Sequence, residues 1–542
     1  MNLCGSFLEA YLGRLNGELR LAAARPDEAQ RRTLRHLLWR ARDTWFGRRH
    51  RFAAIRDHAD FARAVPVGDY AGRLAMFQRI LAGEADVSWP GRVRYFARTS
   101  GTTVGRKYIP LTDEGLRSHA RAVRSILAFY ARQGRGLAAR LLEGKLLFLG
   151  STASLEPVGP GGAPPEPGRA LAKFTRHQCG GFTRRGGPGA LAGDLSGIRM
   201  ARLPWYARPW YEPGLEVARI CSWNERIEAM ARRTLSRDVR FLAGIATWII
   251  PLFDRLCALG GVPAEGGMSH IWPNLQVYAY GGMHLGPYRP ILDRYFAPGR
   301  SPRYLGTYTA SEGSIAIQAE PDDPSLELLT DNGLFYEFVP AEEHDRPGAR
   351  RLTVGQVQTG VPYAIVLSTC AGLWAQAIDD VVRFTSLVPP RIVFVGRHSA
   401  ALNAFAEHVG GHELAEAVGA AARLTGARVL EFTVAPRFPT AARHTGAHQF
   451  VIEFERPPAA GLEAFAREVD RHLLGRNRNY LVKREGDITL TLPEITPVPR
   501  GTFQAWMASR GKLGGQNKVP VCASDRRWAD GLLDVAARPA CR

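Results

Sequence analysis

The sequence predicts an α/β protein with a large N-terminal domain, in which helices flank β-sheets, and a small α+β C-terminal domain. Two observations carry this prediction. Short apolar runs typical of strands alternate with helical patterns as far as about residue 396, which indicates an α/β core. After GRHSA (396–400) the pattern changes to long strand-like runs joined by a few helices. We therefore predict domains over residues 1–397 and 398–542.

Helical periodicity dominates from about residue 6 to 90, and VRYFAR (93–98) is the first predicted strand. The segment 111–133 is typical of a helix, since Thr112 can cap its N terminus and two acidic residues follow in the first turn. Predicted strands and helices follow one another along the rest of the chain. We predict a strand at 145–152, a helix at 223–238, a strand, turn and helix over 239–259, helices at 401–424 and 461–474, and extended segments at 427–437, 448–457 and 487–499.

The net charge of +20 raises the question of a nucleic-acid or membrane partner. The most basic segment, residues 31–52, carries apolar residues at helical spacing, so a helix with one buried stripe and an arginine-rich solvated face explains it. No nucleic-acid recognition motif accompanies the charge, and no window approaches the roughly 18 apolar residues of a membrane-spanning helix. We expect a soluble, cytoplasmic monomer with no nucleic-acid or membrane partner.

The seven cysteines are scattered singly along the chain, without a CxxC pair or a histidine cluster at the spacing of metal ligands. This pattern supports neither a disulfide framework nor a zinc site. We expect reduced, mostly structural thiols.

Lysine is rare in this chain, with six lysines against 65 arginines. A chain that uses arginine so heavily keeps lysine where a compact, mobile ammonium group is hard to replace. Three of the six, Lys107, Lys512 and Lys518, lie in glycine-rich loops. These three are therefore the first candidates for a functional cation.

The segment TSGTTVGRKYIP (99–110) has the composition of a phosphate-binding loop. Glycines let the backbone approach a ligand closely, threonine hydroxyls can donate to phosphate oxygens, and Lys107 adds positive charge. A Walker A loop is excluded because no Ser or Thr follows Lys107 and Pro110 opposes an immediate helix. A dinucleotide-binding fingerprint is excluded because GxGxxG is absent.

At this loop the chain resembles a known family. TSGTTVGRK is similar to the TSGTTGxPK loop of the adenylate-forming superfamily, and TSGTTVGRKYIP resembles more closely the loop of the auxin-responsive acyl acid amido synthetases, a plant family with bacterial members. Four further segments match that family in order: IWPNLQVYAYGGMHLGPYRPILDRYF (271–296), YTASEGSIAI (308–317), GLWAQAIDDVVRF (372–384) and RGKLGGQNKVP (510–520). The bias toward arginine, alanine and glycine suggests a bacterial member.

The resemblance implies roles for individual residues. The loop would hold the triphosphate of ATP through Ser100, Gly101, Thr102, Thr103 and Lys107. In YTASEG, Tyr308 would stack near adenine, Ser311 would line the nucleotide site, and Glu312 would ligate Mg²⁺, a hard cation that prefers carboxylate oxygen.

The resemblance places a ribose-binding aspartate at Asp380. This sequence departs from the family pattern there, because Asp379 replaces a glycine, so the choice between Asp379 and Asp380 stays open. Arg397 corresponds to an arginine at the hinge before the mobile small domain. Lys518 matches the lysine that bridges carboxylate and α-phosphate, and Lys512 lies on the same loop outside the matched position.

The function implied is that of an ATP-dependent, AMP-forming acid–amino acid ligase. It would convert a carboxylic acid to an acyl adenylate and pyrophosphate, and would then transfer the acyl group to an amine, expected to be an amino acid. The candidates for the acyl pocket are Leu116, Val123, Gly282, Met283 and Tyr288. Two alternatives remain open: an acyl-CoA-type ligase that transfers to a thiol, and a non-catalytic basic protein that binds anions with the same fold.

Overall fold

The chain is described here from a computed structural model. The residues that it describes are 3–100, 106–134, 136–158, 189–282, 285–286, 288–321, 323–344, 346, 348–397, 402, 404–405, 407, 409–439, 445–484, 489–511, 518–523 and 525–537, with the backbone alone at 3, 4, 100, 106, 478 and 479. No helix among these residues is long and apolar enough to cross a membrane.

The N-terminal segment is helical, as its periodicity predicted. The five helices are α1 (Leu3–Ala24), α2 (Pro26–Ala41), α3 (Trp45–Arg49), α4 (His58–Ala64) and α5 (Leu74–Leu81). The arginine-rich segment begins within α2, where Leu34, Leu37 and Leu38 are buried and the arginines face outward. The basic composition of this segment therefore reflects a solvated helix face over a packed stripe.

A small sheet carries the glycine-rich loop. Its strands, in the spatial order β2-β1-β5-β4, are β1 (Tyr95–Ser100), β2 (Arg106–Leu111), β4 (Glu156–Val158) and β5 (Ala190–Gly193). β1 and β2 are antiparallel, and their pairing runs from Tyr95 opposite Leu111 to Ser100 opposite Arg106. The loop thus joins two strands, and the strand after it contains Pro110, which agrees with the exclusion of a Walker loop.

The large sheet has eleven strands among the described residues, in the order β12-β13-β14-β15-β11-β10-β9-β8-β7-β3-β6. Its strands are β3 (Lys145–Phe148), β6 (Tyr211–Glu212), β7 (Val239–Gly244), β8 (Val277–Gly281), β9 (Arg303–Thr309), β10 (Ser314–Ile317), β11 (Leu326–Leu328), β12 (Leu334–Pro340), β13 (Pro362–Thr369), β14 (Gln376–Leu387) and β15 (Pro390–Arg397). From β6 to β9 the strands are parallel, and from β9 to β12 they are antiparallel. Ligands bind beyond the carboxyl ends of parallel strands, so the ends of β8 and β9 mark the place to examine.

Helices flank the two sheets. They are α6 (Asp113–Ala131), α7 (Leu137–Leu141), α8 (Leu195–Ala201), α9 (Gly214–Ala218), α10 (Trp223–Thr234), α11 (Ala246–Gly260), α12 (Met268–Ile271) and α13 (Arg289–Arg294). The predicted cap of α6 is present, since the Thr112 hydroxyl accepts from the Gly115 amide at 2.9 Å. The same hydroxyl donates to the Cys370 carbonyl at 2.6 Å, which ties the start of α6 to the antiparallel part of the sheet.

The C-terminal part is a three-stranded sheet with helices. Its elements are α14 (Gly411–Thr425), β16 (Arg428–Arg437), β17 (Ala447–Arg456), α15 (Leu462–Arg476), α16 (Arg478–Arg484), β18 (Glu494–Val498), α17 (Thr502–Ser509) and α18 (Arg527–Ala536). The helix predicted from residue 401 begins only at Gly411. The preceding described residues instead form an isolated bridge between Leu402 and Val409, whose apolar side chains are both buried.

Two polar contacts join the C-terminal part to α13 and the residue before it. The Tyr288 hydroxyl donates to the Glu431 carboxylate at 2.7 Å, and Arg294 on α13 forms an ion pair with Glu455 on β17. Burial raises the pKa of Glu431 to about 7, so this carboxyl titrates near neutral pH. The two contacts join the C-terminal part to the segment that follows β8.

Candidate active site

A cleft of about 2510 Å³ lies between the large sheet and the C-terminal part. Residues from both sides line it. The sequence-predicted site residues among them are Lys107, Leu116, Val123, Gly282, Tyr288, Tyr308, Ser311, Glu312, Asp380, Arg397 and Lys518. Residues more than 400 positions apart in the chain therefore meet around one solvent-filled space.

Asp380 is the centre of a hydrogen-bonded cluster in this cleft. One of its oxygens accepts from the Tyr308 hydroxyl at 2.6 Å, and the other accepts from Arg397 Nε at 3.2 Å. The pairing of β14 with β15 sets Asp380 directly opposite Arg397, so the sheet register creates this contact. Burial raises the pKa of Asp380, although the positive charge of Arg397 and the hydroxyl of Tyr308 oppose that rise.

Asp379 also lines the cleft, and it has a φ of +68°. This is the left-handed region, which glycine adopts freely and aspartate tolerates better than most side chains. The residue that stands where the resemblance has a glycine thus has the backbone conformation that a glycine favours. This agreement supports the alignment that puts the ribose-binding aspartate at Asp380.

Glu312 lies in the tight turn between β9 and β10, where Ala310 and Gly313 exchange backbone hydrogen bonds of 2.9 and 3.2 Å. Burial raises the pKa of Glu312, and the nearby Asp380 carboxylate raises it further, whereas Lys107 and Arg397 lower it. The adjacent Ser311 hydroxyl is buried and has no hydrogen-bond partner among the residues that the structure describes. The turn therefore presents a carboxylate and an unsatisfied hydroxyl to the cleft.

Lys518 reaches into the cleft from the C-terminal part and lies against Gly282 at the end of β8. The closeness shows in the space around this glycine, since a Cβ placed on Gly282 would lie 2.3 Å from Nζ of Lys518. Part of the lysine faces the solvent of the cleft, but the surrounding protein desolvates the ammonium group. This desolvation, together with Arg397, lowers the pKa of Lys518 to about 8.

Replacing Gly282 by alanine should displace the Lys518 ammonium group and reduce adenylation about 10- to 100-fold, because small misplacements of a reacting group are costly. Gly282 has a φ of +79°, so the substitution also strains the backbone. Gly299 has a φ of +73° with no atom near its absent Cβ, so Gly299→Ala reproduces the strain alone. Acid-dependent ATP–pyrophosphate exchange measures both variants, and equal losses would remove Lys518 from the explanation.

The predicted acyl-pocket residues lie on different walls of the cleft. Leu116 and Val123 lie on the face of α6 that lines the cleft, and Gly282 lies beneath Lys518. Tyr288 is 3% exposed and its hydroxyl is bound to Glu431, so it contacts the C-terminal part as well as the cleft. Met283, Gly101, Thr102, Thr103 and Lys512 lie outside the described residues, as does the side chain of Ser100.

Sequence reasoning did not identify His119, which lies on α6 behind the turn that bears Glu312. The ring is 2% exposed, and its Nδ1 is 3.0 Å from the Ser314 hydroxyl. Burial lowers the pKa of His119 to about 3, so the ring is neutral. We infer that it holds the β9–β10 turn in place. The sequence feature that could have identified His119 is its position on a helix face that is otherwise apolar.

No group of three or more His, Cys, Asp or Glu side chains suited to a metal ion occurs among the described residues. Mg²⁺ that binds together with a nucleotide needs fewer protein ligands, because one or two carboxylates and the substrate phosphates complete its coordination. The Glu312 carboxylate and the unsatisfied Ser311 hydroxyl fit that requirement.

The chain matches the models of three domains of one protein family. They are the GH3 family N-terminal domain over residues 16–170, the GH3 family central domain over 327–397 and the GH3 family C-terminal domain over 412–527. The three matched segments follow one another along the chain in the order N-terminal, central and C-terminal.

Named relatives match over most of the chain. Indole-3-acetic acid-amido synthetase GH3.3 of Arabidopsis thaliana is 26% identical over 92% of this chain and 89% of its own length. Probable indole-3-acetic acid-amido synthetase GH3.12 of Oryza sativa subsp. japonica is 25% identical over 92% and 91%. The solved structure of AtGH3.15 acyl acid amido synthetase in complex with 2,4-DB superposes with a TM-score of 0.74 at 18% identity, over 98% of this chain and 96% of that one. This match confirms the predicted α/β fold with a separate C-terminal part.

Proposed function

Because the chain belongs to the GH3 family, we propose that it is an ATP-dependent acyl acid amido synthetase with small-molecule substrates. It activates a carboxylic acid as an acyl adenylate and transfers the acyl group to an amine, which we propose is an amino acid. We also propose that it acts as a cytoplasmic monomer, with domains over residues 1–397 and 398–542.

The observation that carries the proposal is the position of Lys518. Its ammonium group comes from the C-terminal part and lies against Gly282, within the electrostatic influence of Asp380 and Arg397. An acid and the α-phosphate of ATP are both anions, and a cation between them lowers the repulsion that opposes their reaction. Lys518 can supply this charge.

In the first step, a carboxylate oxygen of the acid forms a bond to the α-phosphorus of ATP. The bond from that phosphorus to the oxygen bridging to the β-phosphate breaks, and its electron pair leaves with pyrophosphate. Lys518 holds the attacking carboxylate and the α-phosphate together. Lys107 and the loop residues Ser100, Gly101, Thr102 and Thr103 bind the triphosphate.

The nucleoside end of ATP is bound by the cluster around Asp380. Its carboxylate accepts from the ribose hydroxyls, Arg397 holds that carboxylate in position, and Tyr308 packs near the adenine. Glu312 and Ser311 would hold Mg²⁺. The ion would supply positive charge that neutralises the phosphate oxygens.

In the second step, the amine nitrogen attacks the carbonyl carbon of the acyl adenylate, and the bond to the AMP oxygen breaks. The electron pair of that bond leaves with AMP, and the proton lost from nitrogen passes to solvent. Transfer to the thiol of coenzyme A is the alternative product. A non-catalytic anion-binding role is the alternative function.

ATP–pyrophosphate exchange over a panel of carboxylic acids tests the first step without an amine. We expect exchange with one acid class, followed by amide formation when amino acids are added. Product formation with coenzyme A but with no amine would favour the thiol alternative. Absence of exchange with every acid, together with salt-sensitive binding to DNA, would favour the anion-binding alternative.

The pH dependence of adenylation should report Lys518. Its pKa of about 8 means that the cation is present below that pH and is lost as the pH rises through it. We expect kcat/KM for ATP, measured at a low fixed acid concentration, to fall about tenfold for each pH unit above about 8, since this ratio reports the enzyme without bound nucleotide. Lys518→Arg keeps the charge at high pH and should abolish the falling limb, whatever its absolute rate. A falling limb retained in Lys518→Arg would assign the titration to another group.

A further inference from the structure

Arg199 on α8 is a partly buried cation that the proposed mechanism does not use. It lines the same cleft, and desolvation by the surrounding protein is the largest cause that lowers the pKa of its guanidinium group. A desolvated charge of this kind is costly unless an opposite charge pairs with it. The question is therefore what partner Arg199 has.

The described residues offer Arg199 no acidic partner. Arg202, directly after the last residue of α8, lies 3.6 Å from the Asp113 carboxylate and so pairs with the acid at the start of α6. Asp194 caps the start of α8, and its carboxylate is bound to the amide and the hydroxyl of Ser196. Among the described groups, only the Tyr211 phenol favours the charged form of Arg199. A phenol is neutral at ordinary pH, and burial raises the pKa of Tyr211 further.

Other arginines that line the cleft add positive charge. Arg117 and Arg124 lie seven residues apart on α6, two helical turns, and both line the cleft. Neither forms an ion pair with a described carboxylate. Arg124 and Arg199 both act electrostatically on Tyr211. Arg124, Arg199 and Tyr211 therefore lie at the same end of the cleft.

Leu116 and Val123, two of the predicted acyl-pocket residues, directly precede Arg117 and Arg124 on α6 and line the same cleft. Asp194, Leu195 and Ser196 at the start of α8 line the cleft together with Lys518, and the Asp194 carboxylate is near enough to act electrostatically on that lysine. Arg199 is five residues further along the helix, which is about 7 Å along its axis. A substrate extending from Lys518 along α8 would therefore bring its far end to Arg199.

From these observations we propose that the acid substrate carries a second anionic group, a carboxylate or another oxyanion, which binds Arg199 while the first carboxylate reacts at Lys518. The inference rests on the proposed function, because it assumes that the acid occupies this part of the cleft. It narrows the substrate to short diacids and acids of similar charge.

Matched pairs of acids test this inference. The pairs are hexanoate with hexanedioate and benzoate with benzene-1,3- and benzene-1,4-dicarboxylate, measured by pyrophosphate exchange with wild type and Arg199→Met. We expect the wild type to prefer a diacid. Arg199→Met should lose about 100-fold in kcat/KM for that diacid, because truncating one member of a buried charge pair is costly, and should change the monoacid value less than about threefold. Arg35→Met, which removes an exposed arginine on α2 outside the cleft, should change neither.

Other outcomes overturn the inference. A wild type that prefers monoacids, an equal loss for both acids in Arg199→Met, or a change confined to the KM of the amino acid in the complete reaction would each contradict it. Calorimetric titration with the same acids measures binding without turnover. If no acid supports exchange but diacid binding disappears in Arg199→Met, the proposed function fails while the anion site stands. If exchange occurs without a diacid preference, the function stands and the inference fails.

Discussion

Lys518→Ala is expected to reduce acid-dependent ATP–pyrophosphate exchange by about 1000-fold or more, while the protein stays folded. The expected loss is large because the Lys518 ammonium group lies at Gly282, where the acid and the α-phosphate would meet, and removing one such group costs about 100- to 1000-fold even for a neutral donor. No other lysine of the described residues lines the cleft on the C-terminal side.

Two lysine variants serve as matched controls for this result. Lys512→Ala removes the lysine on the same glycine-rich loop that the family pattern does not match, and Lys483→Ala removes one at the end of α16, away from the cleft. Both should retain exchange within about threefold of wild type. Lys483 does not line the cleft, and the family pattern assigns no role to Lys512. Comparable losses in Lys518→Ala and Lys512→Ala would show that the loop as a whole, and not Lys518, is required.

Glu312→Gln is expected to raise the Mg²⁺ concentration needed for half-maximal exchange and to lower the maximal rate about 100-fold. The substitution keeps the shape of the side chain but removes the charge that a hard cation requires. Exchange measured across a Mg²⁺ titration reports both quantities. Because burial and Asp380 both raise the pKa of Glu312, its charged form is disfavoured in the folded protein, so the variant should melt at the same temperature as wild type or higher.

Glu320→Gln is the matched control for the glutamate variant. Glu320 lies shortly after β10, is exposed and does not line the cleft, so its loss should leave the Mg²⁺ dependence unchanged. A Glu312→Gln variant with the wild-type Mg²⁺ dependence would place the metal elsewhere. A variant that melts well below wild type would instead assign Glu312 a structural role.

The sequence predicted the fold class and the family correctly because both depend on local signals. The cap at Thr112, the apolar stripe of α2 and the alternation of strands and helices are set by neighbours in the chain. The family followed from five short motifs in a fixed order. The start of the helix expected over 401–424 was wrong. Leu402 and Val409 pair with each other and bury their side chains in the segment where the helix was expected to begin.

What the sequence determined by itself is therefore the α/β architecture, the family and a short set of candidate residues for ATP and Mg²⁺. Tertiary structure alone decided how those residues combine. The register of β14 against β15 puts Arg397 beside Asp380, and the packing of the C-terminal part brings Lys518 to Gly282. It also separates Arg199 from every described carboxylate that could neutralise it. The physical reason is that charge and burial depend on distances in space, which residues far apart in the chain acquire only when the chain has folded.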